Sequence, residues 1–193
     1  CVTILGRSAP DAAALAELAG SAEAAERLGA TVADLTDAEA LARAFEASRQ
    51  RFGAIDILVN NAGQASSAPV LKTDMALWQR MLDINLTGTW LCIQQALPDM
   101  VEAGWGRIVN IASTAAQRGY AYVSAYCAAK HGVLGLTRSL ALELATRGVT
   151  VNAVCPGYTE TDLLADSIAN IITKTGRTEA QARAELAAGN PQK

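Results

Sequence analysis

Five short runs of β-branched and aliphatic residues punctuate the chain: Val2 to Leu5, Thr31 to Ala33, Ile55 to Val59, Arg107 to Ile111 and Thr150 to Val154. Runs this short read as strands, and the stretches between them have room for helices. The segment after Ala33 shows the helical period directly. Leu41, Phe45, Ser48 and Phe52 share one face behind a Thr36-Asp37-Ala38-Glu39 capping box. Strand and helix therefore alternate. Ile55-Asp56-Ile57-Leu58-Val59 is almost continuously apolar, as expected of a strand covered on both faces by helices. The fold expected is α/β, a doubly wound parallel sheet. Gly29, Gly53, Gly104 and Gly148 fall where elements are expected to end, and no repeat or Pro/Ser-rich linker divides the chain. A single domain over residues 1–193 is expected.

Composition narrows the partners. The chain has 193 residues, 51% of them hydrophobic, enough for one sizeable core. Sixteen basic residues stand against 19 acidic ones, a net charge of -3, so there is no basic field for a nucleic-acid backbone. The longest apolar stretches, such as Ile55 to Val59 and Val133 to Leu136, are far shorter than the roughly 20 residues of a membrane span. Cys1, Cys92, Cys127 and Cys155 show neither CxxC spacing nor His-rich neighbours, which suggests free thiols in a reducing, cytoplasmic setting and no metal site.

After Pro156-Gly157 the pattern changes. Leu164, Ile168, Ile171 and Ile172 make a helical stripe, followed by a second helix from Thr178 to Ala188. Residues 158–190 are expected to form a lid over a substrate. Its apolar inner face suits an apolar substrate or ordinary core packing.

Tyr126 and Lys130 stand four residues apart in Ser124 to Thr146, whose apolar stripe runs through Val133, Leu136, Leu140 and Leu144. Both side chains share one helix face. An ammonium so placed is expected to lower the tyrosine pKa and make the hydroxyl a usable acid or base. Ser113 follows the strand Arg107 to Ile111, thirteen residues before Tyr126. In open α/β sheets ligands bind beyond the carboxyl ends of the strands. Ser113, the Asn60-Asn61-Ala62-Gly63 turn and the Cys155-Pro156-Gly157 turn all emerge there.

These residues, Asn60-Asn61-Ala62-Gly63, Ser113, Tyr126-Cys127-Ala128-Ala129-Lys130 and Pro156-Gly157, in this order over nearly the whole chain, resemble the short-chain dehydrogenase/reductase family. The resemblance implies a Rossmann-type fold and hydride transfer between a nicotinamide and a carbonyl or alcohol carbon. Tyr126 would exchange a proton with the substrate oxygen, and Ser113 would hold that oxygen. Lys130 would tune Tyr126 and grip the nicotinamide ribose, and Asn85 matches the asparagine that supports a water relay to the lysine. An Asn inside the apolar helix expected from Met81 to Leu97 needs hydrogen-bond partners for its amide. For the cofactor, the resemblance places Asp34 and Leu35 at the adenine and Asn61, Ala62 and Gly63 along the adenosine ribose. Pro156, Gly157, Thr159 and Thr161 would surround the nicotinamide and phosphates, with Tyr126 and Lys130 also in contact.

The end of the first strand, Gly6-Arg7-Ser8, offers an arginine and no carboxylate. NADP(H) is therefore expected over NAD(H), since arginine pairs with a 2′-phosphate where an acid binds a 2′-hydroxyl. His131 points about 100° away from Lys130 on the helix and is expected at the helix surface or a subunit contact. Cys127 and Cys155 lie near the crevice and are given no chemistry.

The family's Gly-rich turn and first strand are absent, and a further helix and last strand would follow Asn190-Pro191-Gln192-Lys193. In the strand order 3-2-1-4-5-6, losing strand one separates the first two runs from the rest and exposes two apolar edges. The sequence is therefore expected to be part of a longer protein and not to fold stably alone. The Tyr126-Lys130 segment most resembles the 3-oxoacyl reductase branch, so an acyl thioester is a candidate small-molecule substrate. The alternatives are a dehydrogenase of a sugar, steroid or other secondary alcohol, and a non-catalytic dinucleotide sensor or assembly subunit. A homo-oligomer, tetramer or dimer, is expected through helices including Asn85 to Met100 and Ser124 to Thr146.

Overall fold

The computed structural model describes residues 1–188, so Gly189 and Asn190 of the expected lid lie outside the described residues. The five aliphatic runs form β1 (Val2–Gly6), β2 (Leu28–Val32), β3 (Ile57–Asn60), β4 (Gly106–Ile111) and β5 (Val149–Val154). Among the described residues the helices are α1 (Ala12–Ala19), α2 (Ala22–Glu26), α3 (Ala38–Phe52), α4 (Met75–Leu82), α5 (Gly88–Ala103), α6 (Ser124–Glu143), α7 (Asp162–Thr175) and α8 (Glu179–Ala187).

Among the described residues all strand pairs are parallel, in two separate sheets: β1 with β2, and β3-β4-β5. Val2 lies opposite Leu28, Ile57 opposite Arg107, and Gly106 opposite Val149. This is the separation expected without a strand between β1 and β3. It also corrects the reading of Ile55 to Val59 as covered on both faces. Ile57 and Val59 are 57% and 56% exposed while Leu58 between them is half-buried. β3 is an edge strand, and one of its faces has no layer over it.

Two local expectations are also corrected. Gly29 lies inside β2, not at its end, at a place where a Cβ would come within 2.7 Å of the Phe52 ring. The strand thus begins at Leu28. The cap of α3 is Asp37, whose carboxylate accepts from the Glu39 and Ala40 amides at 3.0 and 2.9 Å. Thr36 instead donates to Asp34 from both its amide and its hydroxyl, at 2.8 and 2.7 Å.

The core lies between the three-stranded sheet and the helices on it. Leu41 and Phe45 of α3, Ile93 and Met100 of α5, Ile108 of β4 and Leu140 of α6 form one buried cluster. Burying side chains of this size is worth about 1.5–3 kcal/mol each. A clamp ties its edge: Arg49 Nε donates to Asp99 Oδ2 at 2.8 Å, and the same oxygen accepts from the Ile55 amide at 2.9 Å. A polar ladder crosses the layers beneath the loops. Asn60 Nδ2 donates to Asn110 Oδ1 at 2.9 Å, Asn110 Nδ2 to Thr137 Oγ1 at 2.9 Å, and Thr137 to the Val133 carbonyl at 2.8 Å. The ladder aligns the carboxyl ends of β3 and β4 with α6, where the candidate site begins.

Candidate active site

β4 ends at Ile111, and Ser113 turns the chain into a short 3-10 turn, Thr114–Ala116, its hydroxyl accepting from the Ala115 amide at 3.1 Å. The Thr114 amide donates to the Pro156 carbonyl at 2.8 Å, fastening this turn to the loop after β5. The Ser113 hydroxyl faces the same pocket as the Tyr126 phenol and favours its ionised form. Lys130, one turn further along α6, is only 5% exposed. Its Nζ donates to the Ile111 carbonyl at 2.8 Å and stands 5.8 Å from the centre of the Tyr126 ring. Helical spacing thus puts Tyr126 and Lys130 on one face, and the strand end brings Ser113 to it.

The electrostatics differ from the simple expectation that Lys130 lowers the Tyr126 pKa. Burial raises Tyr126 above its ordinary value, outweighing the nearby Ser113 hydroxyl, which favours the phenolate. Burial likewise pulls the Lys130 ammonium down to about 8. Without a bound ligand, Tyr126 is therefore a neutral phenol and a proton donor at pH 7.

Asn85 does not sit in a regular helix. It lies in a π-helical turn, Asp83–Thr87, between α4 and α5, and is 1% exposed; such wide turns recur at functional sites. Its amide nitrogen donates to the carbonyls of Gln64 and Met81 at 2.8 and 3.0 Å, and its oxygen accepts from the Gln64 amide at 3.2 Å. The loop after β3 is pinned in this way. Gly63 lies so close that a Cβ there would meet Asn85 Oδ1 at 2.9 Å and Lys130 Nζ at 3.5 Å. Only glycine leaves the Asn85 amide undisturbed.

The remaining expected site residues divide between two cavities. Arg7, Asp34, Leu35, Ala62 and Gly63 line a cleft of about 710 Å³, within the usual range for small-molecule sites. The Thr36 amide and hydroxyl hold the Asp34 carboxyl below its ordinary pKa, with Arg7 adding to the effect. Arg80 and Ile84 complete the far wall; nothing in their sequence spacing marks them. Asn61 is exposed on the same loop as Gly63. Ser113, Tyr126, Gly157, Thr159 and Thr161 line a smaller pocket of about 110 Å³, and Pro156 stands beside it through its bond to Thr114. Tyr120, Tyr158 and Thr114 also face this pocket and carry no motif that would have singled them out. His131 is exposed, its Nδ1 bonded to the Cys127 carbonyl at 2.9 Å. The larger cleft, with a cation, a carboxylate and a side-chain-free glycine wall, fits the adenosine end of a dinucleotide.

Residues 1–171 match the short chain dehydrogenase family model. A D-beta-hydroxybutyrate dehydrogenase of Rhizobium meliloti is 42% identical over 149 residues, covering 77% of this chain and 58% of that protein. The 3-oxoacyl-acyl-carrier-protein reductase FabG of Aquifex aeolicus is 41% identical over 164 residues, 85% of this chain and 66% of that protein. A variant of actinorhodin polyketide ketoreductase, solved with NADPH, superposes with a TM-score of 0.87 at 34% identity, covering 98% of this chain and 72% of that one. The chain spans little more than half the length of the first curated relative. It belongs to the short-chain dehydrogenase family, whose members bind a nicotinamide dinucleotide.

Proposed function

We propose that the protein is an NADP(H)-dependent oxidoreductase that interconverts a carbonyl and a secondary alcohol, with a 3-oxoacyl or 3-hydroxyacyl thioester as substrate class. The observation that carries this reading is the convergence of Ser113 and Tyr126 on one pocket, with the buried Lys130 one turn behind Tyr126. When bound, a nicotinamide dinucleotide supplies hydride exchange at the substrate carbon. Arg7, Asp34, Leu35, Asn61, Ala62 and Gly63 would hold its adenosine end, and Pro156, Gly157, Thr159 and Thr161 its nicotinamide end.

The chain's own residues manage the substrate oxygen. Ser113 orients it by hydrogen bond. Tyr126, neutral because it is buried, gives its phenolic proton to that oxygen in reduction and takes it back in oxidation. Lys130 still carries its charge at neutral pH and compensates the phenolate left behind. Asn85 keeps the Gly63–Gln64 backbone fixed beside Lys130.

Arg7 in the larger cleft supports NADP(H) over NAD(H). The name of the Rhizobium meliloti relative supports a second reading, oxidation of a free hydroxy acid. Among the described residues, the pocket around Ser113 and Tyr126 is lined by no lysine, arginine or histidine, and Arg118 behind its wall donates to the Tyr120 hydroxyl, which favours the thioester. The test is a panel of a 3-oxoacyl thioester, a free 3-oxo acid, a sugar and a plain ketone, each with NADPH and NADH, on the full-length protein. Preferred turnover of the thioester with NADPH is expected. Turnover of nothing in the panel would overturn the reading, and NAD bound at least about 10-fold more tightly than NADP would overturn the cofactor assignment.

A further inference from the structure

Thr114 has no part in the chemistry above, yet its hydrogen bonds have a direction. Arg118 donates to the Tyr120 hydroxyl twice, from Nε at 2.9 Å and from Nη2 at 2.7 Å. A phenolic oxygen that accepts from a guanidinium is weakened as an acceptor for a further bond and strengthened as a donor. The Tyr120 proton is thereby directed to Thr114 Oγ1, 2.9 Å away. Thr114 therefore accepts this bond, and its own hydroxyl proton is left for another acceptor.

The backbone around that hydroxyl is fixed. The Thr114 amide donates to the Pro156 carbonyl at 2.8 Å, and its carbonyl accepts from the Gln117 amide at 3.0 Å. Its side chain lines the same pocket as Ser113 and Tyr126. An oriented donor thus stands one residue from the pair that takes the reacting oxygen.

We propose that Thr114 binds a second, uncharged acceptor oxygen of the substrate, with Tyr120 and Arg118 as positioning residues that hold its hydroxyl in the donating sense. The proposal rests on the carbonyl-reductase reading and sharpens it. A 3-oxo ester or thioester carries a carbonyl oxygen two carbons from the reacting one, and a plain ketone does not. The neutral hydroxyl, in a pocket lined by no cationic side chain among the described residues, matches an ester oxygen better than a carboxylate.

The test compares ethyl 3-oxobutanoate with 2-heptanone, which has the same chain length and lacks the second carbonyl, and reads the ratio of their kcat/KM values with NADPH in the full-length protein. Wild type is expected to favour the ester. Thr114→Val is expected to lower the ratio about 10-fold, the worth of one neutral hydrogen bond, and Thr114→Ser to restore most of it. Tyr120→Phe, which frees the hydroxyl from its fixed sense, is expected to lower the ratio by a smaller factor of about 3. A purely packing role would lower both substrates together and leave the ratio where it was. An unchanged ratio in Thr114→Val, or a Ser variant as impaired as the Val one, overturns the proposal. If wild type reduces both substrates equally well, the proposal falls while the carbonyl-reductase reading stands; if it reduces neither, both fall.

Discussion

Lys130 Nζ donates to the backbone carbonyl of Ile111 at 2.8 Å. The last carbonyl of β4 therefore anchors the ammonium, and Tyr126, 5.8 Å from it at the ring centre, is governed first by its own burial. The lysine acts as a standing charge that becomes useful when Tyr126 has given up its proton.

This arrangement makes Tyr126 a proton donor at rest. Tyr126→Phe is expected to lower kcat by about 10³-fold, within the range of a lost general acid, with dinucleotide affinity within a few-fold by fluorescence titration. A difference titration of tyrosinate absorbance, wild type minus Tyr126→Phe, should place its ionisation above that of an ordinary tyrosine. Retained turnover in the variant would contradict the role.

Lys130 gives stability a pH dependence of known sign. Its folded pKa is about 8, against 10.5 for an ordinary lysine. Below pH 8 both states hold the proton and the cost of burying the charge is fully present. Between these values the unfolded chain binds a proton the folded one has released, so stability rises with pH. Relative to Lys130→Met, wild type should gain on the order of 3 kcal/mol at most between pH 7 and 10.5. Urea midpoints across that range test it, and a flat difference would contradict it.

The Asn60–Asn110–Thr137 ladder is fully buried at Asn110. Asn110→Leu removes its donor and its acceptor at once and strands the Asn60 amide. A loss of about 2–4 kcal/mol in unfolding free energy is expected. Thr137, which keeps its bond to the Val133 carbonyl, should tolerate Thr137→Ser at much smaller cost.

Arg7 stands at the end of β1 in the larger cleft, and its charge helps lower the Asp34 pKa. Arg7→Ala is expected to shift the ratio of NADPH to NADH dissociation constants by about 10-fold toward NADH, the loss of a charge-assisted contact. Calorimetry with each dinucleotide reads this ratio directly, and an unmoved ratio would remove Arg7 from the assignment.

The sequence carried much of this layout because its signals are local. Aliphatic runs place the strands to within three residues, and the four-residue step from Tyr126 to Lys130 defines a helix face without knowledge of the fold. What it missed depends on partners distant in the chain. The bare face of β3 follows from which helices lie over the sheet, and the cap moved from Thr36 to Asp37 because Asp34 claims the Thr36 hydroxyl. Asn85 announced a need for partners, but nothing local says that they are the amide and carbonyl of Gln64, 21 residues away. The Arg118-Tyr120-Thr114 chain is short in sequence, yet only the positions of the donors reveal its direction.

The bonds between Asn85 and Gln64 have a consequence of their own. A carboxamide that gives one hydrogen bond to a residue's carbonyl and takes one from its amide behaves as a peptide group, so Asn85 serves Gln64 as a neighbouring strand one residue long. Register is thereby written by a single side chain. Asn85→Asp keeps the shape but cannot donate, turning one half of the reciprocal pair into a repulsion between oxygens, and the whole loop between the two cavities loses its alignment with α6.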